Sequence, residues 1–135
     1  MVKMSGIYQG EKHCEFTHGP SASRLETDAP KDNNGKGERF SPTDLMGAAL
    51  GSCMLTVMAI AAENEGLSLK GARVEITKEM VPNPRRISRL PATIHMPPGI
   101  PKERREWLER VAHTCPVRQS LRADLETPLE IVYPD

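Results

Sequence analysis

Neither sign of charge prevails in this chain. Eighteen basic and eighteen acidic side chains cancel to a formal net charge of zero, so nothing favours nucleic acid or an anionic membrane surface as partner. The cysteines are few and odd in number, Cys14, Cys53 and Cys115, which excludes a disulfide framework. Neither a CxxC nor an HxxxH pair occurs, so a structural zinc site lacks its usual ligand spacing, and no cofactor is called for. Met1-Val2-Lys3-Met4 leads into alternating polar and apolar residues rather than an apolar run; no signal peptide is expected, and a cytoplasmic location is. Internal repeats, low-complexity tracts and a domain boundary are likewise missing. The expectation is a single domain over residues 1–135, long enough to bury a real core.

What the chain does have is one long apolar stretch, from Ser41-Pro42-Thr43-Asp44 to Gly66, around which the rest is organised. Ser41 with Asp44 three residues on is a capping-box-like start, and Pro42 falls at the first helical position, where a missing N–H costs nothing. Gly66 is the matching stop. At about 1.5 Å per residue the helix is on the order of 35 Å long. Between Leu45 and Ala62 the only polar side chains are Ser52 and Thr56, so the helix has no face suited to water and must be covered on all sides. Gly47, Ala48, Gly51 and Ser52 form a small-residue strip that would admit a second backbone. A membrane span competes by length. Acids at both ends, no adjacent basic cluster and the alternation elsewhere favour a core helix instead, one that a second subunit helps to bury.

Ahead of this helix, Val2–Tyr8, Lys12–His18 and Ser23–Thr27 read as three strands of an antiparallel meander, followed by a polar loop from Ala29 to Arg39 that is free to move. After it, Ala72–Val81 and Arg86–Met96 read as two strands, the second bulged or at an edge because it contains Pro91. Pro101 opens an amphipathic helix to about Thr114, with Trp107, Leu108, Val111 and Ala112 inward. Pro116 starts a short helix to Leu121 with Cys115 at its N-cap. Leu129–Tyr133 closes the chain as a strand. The order βββ-α-ββ-α-α-β is that of an α+β fold.

Cys53 on the apolar helix is, taken alone, a small buried hydrophobe. Cys115 at a helix N-terminus faces unpaired N–H groups that favour the thiolate, with His113 and Arg118 beside it. Two cysteines on separate helices fit a redox pair in which one attacks and the other resolves. A Cys/His hydrolase through Cys115 and His113 is the poorer fit, since residues two apart on a helix point apart. Cys14 reads as incidental on its strand, and His13, His18 and His95 as ordinary strand or turn histidines. Met46, Met54 and Met58 read as adaptable core or as the lining of an apolar cavity.

Phe40-Ser41-Pro42-Thr43-Asp44-Leu45 with Ala48-Ala49-Leu50-Gly51-Ser52-Cys53, then His113-Thr114-Cys115-Pro116-Val117, and Thr27-Asp28-Ala29-Pro30 before the helix, resemble the OsmC/Ohr family of thiol-dependent peroxidases. The resemblance runs over nearly the whole chain in the right order. It implies an OsmC-like fold in an intertwined homodimer, with two long central helices enclosed by β-sheets of both chains. It implies Cys53 as the peroxidatic and Cys115 as the resolving cysteine, a hydroperoxide substrate, and a dithiol reductant such as a lipoyl protein. In the family an arginine from the N-terminal strand region holds the thiolate and a glutamate early in the central helix orients it. Cys53 needs such a cation, because the helix dipole fades within the first turn. Here the glutamate position falls on Thr43, leaving Asp44 or Glu38 as the acid, and Arg24 or Arg39 as the arginine. A binding dimer with an apolar interface pocket and no efficient turnover is the alternative.

Overall fold

The computed structural model describes all of residues 1–135, in two compact units, Met1–Met46 and Gly47–Asp135. In the first, β1 (Met4–Tyr8), β2 (His13–His18) and β3 (Arg24–Asp28) form an antiparallel meander in that order. Strand alternation sorts the side chains onto two unlike faces. Cys14 lies opposite Thr27 and Phe16 opposite Leu25; with Met4 these line an apolar groove of about 770 Å³. Phe16 covers Gly6, where a Cβ would fall 2.4 Å from Phe16 Cζ. The opposite face carries charge, with His13 directly across from Asp28 and Glu15 across from Glu26.

The loop after β3 is closed by backbone hydrogen bonds between its two ends. Asp28 N–H donates to the Phe40 carbonyl at 3.2 Å, and Gly37 N–H to that of Ala29 at 3.1 Å. A single turn of 3₁₀ helix spans Lys31–Asn33.

The long helix α1 runs over Pro42–Asn64 and has the ends that its sequence prescribes. Ser41 N–H donates to Asp44 Oδ2 at 2.9 Å and Asp44 N–H to Ser41 Oγ at 3.0 Å, a reciprocal capping box. At the other end Gly66 is left-handed, with φ of 74°. Leu67 N–H then reaches back to the Ala62 carbonyl at 2.9 Å and Gly66 N–H to that of Glu63 at 3.0 Å, which is a Schellman stop.

In the second unit, Leu50, Met54, Met58 and Ala62 of α1 join Leu90, Ile94, Leu108, Ala112 and Leu125 in one core. A sheet in the order β4-β7-β8 pairs β4 (Arg73–Ile76) antiparallel and β8 (Leu129–Val132) parallel to β7 (Ala92–His95), while β5 (Glu79–Val81) and β6 (Arg86–Arg89) make a separate ribbon. Helices α2 (Lys102–Ala112) and α3 (Pro116–Ser120) complete the unit.

Two expectations change here. The two strands expected over residues 72–96 are four. Pro91 has no N–H to donate, so it divides β6 from β7 rather than lying in a bulged strand. β7, far from being an edge, is the centre of its sheet, and Pro91 contributes only its carbonyl, which accepts from Thr77 N–H at 3.0 Å. The glycines of the small-residue strip receive side chains of the chain's own core rather than a second helix: a Cβ on Gly51 would lie 3.2 Å from Val74 Cγ1 of β4, and one on Gly47 3.5 Å from Leu90 Cδ2. Within the chain α1 is covered on one side only. Met46 and Ile60 are 40% and 56% exposed, and Ala49, Ser52 and Thr56 are exposed with them. By length and composition α1 meets the requirement for crossing a membrane, but its buried side is committed to the core just described.

Candidate active site

Each unit gathers one set of candidate functional side chains. In the second unit it is a pair of thiols. Cys53 lies about three turns into α1 and is half-buried. Cys115 is fully buried. Its placement follows from Pro116, which biases the preceding residue to extended backbone and here opens a new helix. Cys115 accordingly has φ −59° and ψ 133°, at the N-cap of α3, and its Sγ accepts the Arg118 N–H at 3.2 Å.

The two side chains are close enough for the thiols to hydrogen-bond, and both are free rather than bridged. The expectation that the helix start would favour a thiolate at Cys115 is overturned. Burial pushes the Cys115 thiol up, the Arg118 N–H pulls it down by less, and hydrogen bonding and negative charge at Cys53 push it up again. The reason is that α3 has five residues, too short a dipole to offset loss of water. Cys115 is therefore the thiol that burial disfavours as a thiolate, while Cys53 is only half-buried.

In the first unit, the charged face of the meander gathers a network around His13. Its Nδ1 is 2.6 Å from Asp28 Oδ1 and its Nε2 3.1 Å from Glu26 Oε1. Asp28 is buried, and its Oδ2 accepts the Glu38 N–H at 3.1 Å. Glu26 Oε2 accepts Arg39 Nε–H at 3.4 Å, and Arg39 also donates to the Glu38 carbonyl at 3.2 Å. The hydrogen bond to Asp28 raises the His13 pKa against an opposing effect of burial. The same imidazole holds Asp28 and Glu26 below the usual carboxylate range.

The remaining candidates take different positions. Arg24, at the start of β3, is 70% exposed and only loosely paired, with Glu15 at 3.7 Å. Arg39 is joined to Glu26, whereas Glu38 enters its network through its backbone. Asp44 is engaged as the capping acid of α1, and Thr43 Oγ1 lies 3.2 Å from Ser41 Oγ. His13 was an ordinary strand histidine from the sequence alone. The available signal was hairpin register, which sets His13 opposite Asp28 and diagonal to Glu26.

Comparison with known proteins bears on this geometry at three levels. A family profile described as OsmC-like protein matches residues 35–130. No curated protein matches the chain. Among solved structures, a Psychrobacter arcticus protein, described as a candidate osmotic stress induced and detoxification response protein, is 36% identical, with a TM-score of 0.94 over 98% of this chain and 96% of that one. The organic hydroperoxide resistance protein OsmC of Legionella pneumophila has a TM-score of 0.74 at 18% identity, covering 97% of this chain and 96% of its own. OhrB, an organic hydroperoxide resistance protein of Bacillus subtilis, has a TM-score of 0.70 at 15% identity, covering 98% of each chain. The last two share the fold. The profile extends from the loop before α1 to the start of β8 and so takes in Cys53 and Cys115, and with the first structure's likeness over nearly the full length it places this chain in the OsmC-like protein family.

Proposed function

We propose that the chain is a thiol-dependent peroxidase that reduces hydroperoxides through Cys53 and Cys115. The observation that carries this reading is the pair of neighbouring free thiols, one half-buried and one fully buried. The hydroperoxide resistance named for the Legionella and Bacillus proteins supports the substrate class. Cys53 thiolate attacks the O–O bond and takes the terminal oxygen, giving Cys53 sulfenic acid, while the departing alkoxide takes a proton and leaves as alcohol. The Cys115 sulfur then attacks that sulfenic sulfur; its proton leaves with the hydroxyl as water, and a Cys53–Cys115 disulfide remains. A dithiol, such as a lipoyl group, restores both thiols and becomes a disulfide itself. Arg24 or Arg39 supplies the cation for the thiolate, with Glu38 or Asp44 as supporting acids. The active form is a cytoplasmic homodimer. The side of α1 left open by the chain's own core, where Met46, Ala49 and Ile60 stand exposed beside Ser52 and Thr56, supports that assembly.

Titration of the reduced protein with cumene hydroperoxide and hydrogen peroxide, with thiol counting and mass mapping of disulfides, tests the scheme. Two thiols lost as a Cys53–Cys115 bridge is the expected result. Cys53→Ser should consume no peroxide, and Cys115→Ser should stop at one equivalent with Cys53 as sulfenic acid. Undiminished consumption by Cys53→Ser would end the peroxidase reading.

A second reading is an apolar-ligand-binding dimer without efficient turnover, favoured by the groove of about 770 Å³ on the meander. Saturable ligand binding by a protein whose thiols all stay reduced under peroxide would establish it.

A further inference from the structure

His13 stands between two carboxylates, each of which can only accept. Nδ1 faces Asp28 Oδ1 and Nε2 faces Glu26 Oε1. A neutral imidazole carries one N–H and so can serve only one of them, whereas the imidazolium serves both. The far oxygens of the two acids are also used. Asp28 Oδ2 holds the Glu38 N–H, and Glu26 Oε2 holds Arg39 Nε–H. One proton on His13 thus links β2 and β3 to the last residues of the loop before α1.

We infer that His13 is a proton-controlled positioning residue: as imidazolium it fixes Glu26 so that Glu26 aims Arg39, and on losing its proton it releases that arm. The consequence for turnover rests on the reading above in which Arg39 is the cation for the Cys53 thiolate. The arm that lets go is the Glu26 one. Asp28 is buried and only 2.6 Å from the ring, so the single remaining proton stays on Nδ1. The bare Nε2 lone pair then faces the Glu26 carboxylate, and the contact becomes repulsive. The other charged groups around His13 are Glu15, across from Glu26 on the same face of the meander and paired with Arg24, Lys36 and Glu38 from the loop, and Glu11 from the β1–β2 turn. Lys36, Glu38 and Glu11 line a polar pocket of about 330 Å³ with His13, Asp28 and Arg39, and Lys36 and Glu11 are paired with each other. The raised His13 and lowered Glu26 and Asp28 titrations agree in direction with a charged ring between charged acids.

The test follows the Arg39 Nε–H and the His13 ring by NMR in the full-length protein, from about pH 5 to about pH 9, a range spanning ordinary and raised histidine titration. Arg39 Nε–H should be slow to exchange at low pH and lose protection with the His13 midpoint. His13→Gln should remove that midpoint, and Glu26→Gln should leave Arg39 Nε–H unprotected throughout. Should His13→Gln fail to fold, the half-exposed Glu26→Gln carries the same comparison. Peroxide consumption should fall about two- to fivefold across the same midpoint, the scale of a solvent-exposed ion pair, and lose that step in Glu26→Gln. An Arg39 signal indifferent to His13 titration, or a midpoint that survives in His13→Gln, would overturn the inference. A midpoint in Arg39 with none in a Cys53-dependent turnover would overturn the consequence for the Cys53 thiolate. Failure of the peroxidase reading is separate, because it is read from Cys53→Ser, while the His13–Arg39 linkage is read from the NMR alone.

Discussion

Cys115 in the second unit and Asp28 in the first are both buried ionisable groups, yet their surroundings push them toward opposite charge states. Cys115 lies among apolar side chains, and lost hydration outweighs the Arg118 N–H, so it stays neutral. Asp28 is buried to a similar degree but has an imidazole on one oxygen and a backbone N–H on the other, so it stays charged. Depth of burial does not decide the charge; the donors supplied at that depth do. The second unit therefore holds together by packing and the charged side of the first by protons.

Three substitutions would sharpen or break that contrast. The largest effect is expected at Leu108, fully buried on α2: Leu108→Ala should lower the unfolding free energy by about 2–5 kcal/mol in urea titration. If it costs nothing, packing does not hold the second unit. Ser41→Ala, which removes one half of the capping box, should cost about 1 kcal/mol by the same measurement. The third effect lies in pH dependence. Because His13 is raised, its contribution is complete below about pH 6.5 and is lost as pH climbs through its folded value. Because Asp28 and Glu26 are lowered, theirs is complete above about pH 4 and is lost as pH falls. The stability of wild type relative to His13→Gln should therefore peak between about pH 4.5 and about pH 6.5. Urea midpoints equally displaced at all pH values would mean that protons do not hold the first unit.

α1 was legible in the sequence because both of its ends are written in local chemistry: Ser41, Pro42 and Asp44 at the start, Gly66 at the stop. The short α3 was legible for the same reason, since Pro116 admits few alternatives. The His13 network was not, because its members are joined across strands: His13 and Asp28 meet only once the meander fixes its register. The division of the strands at Pro91 was half legible. A proline marks an interruption, but whether the chain bulges or changes sheet depends on partners far along it, here Thr77 and β8. The charge state of Cys115 needed the depth of the core around it, which no N-cap motif contains.

Trp107 is the only tryptophan in the chain. It is half-buried on α2 with the Arg104 guanidinium 5.7 Å from its ring centroid, on the helix that leads directly to Cys115. The protein thus carries its own fluorophore. Emission excited near the red edge of protein absorption reports one known place, the seat of α2, without labelling and without interference from the two tyrosines. A change in colour or lifetime as the thiols are oxidised would time, in the intact molecule, how far bond formation at one end of α2 is felt along it.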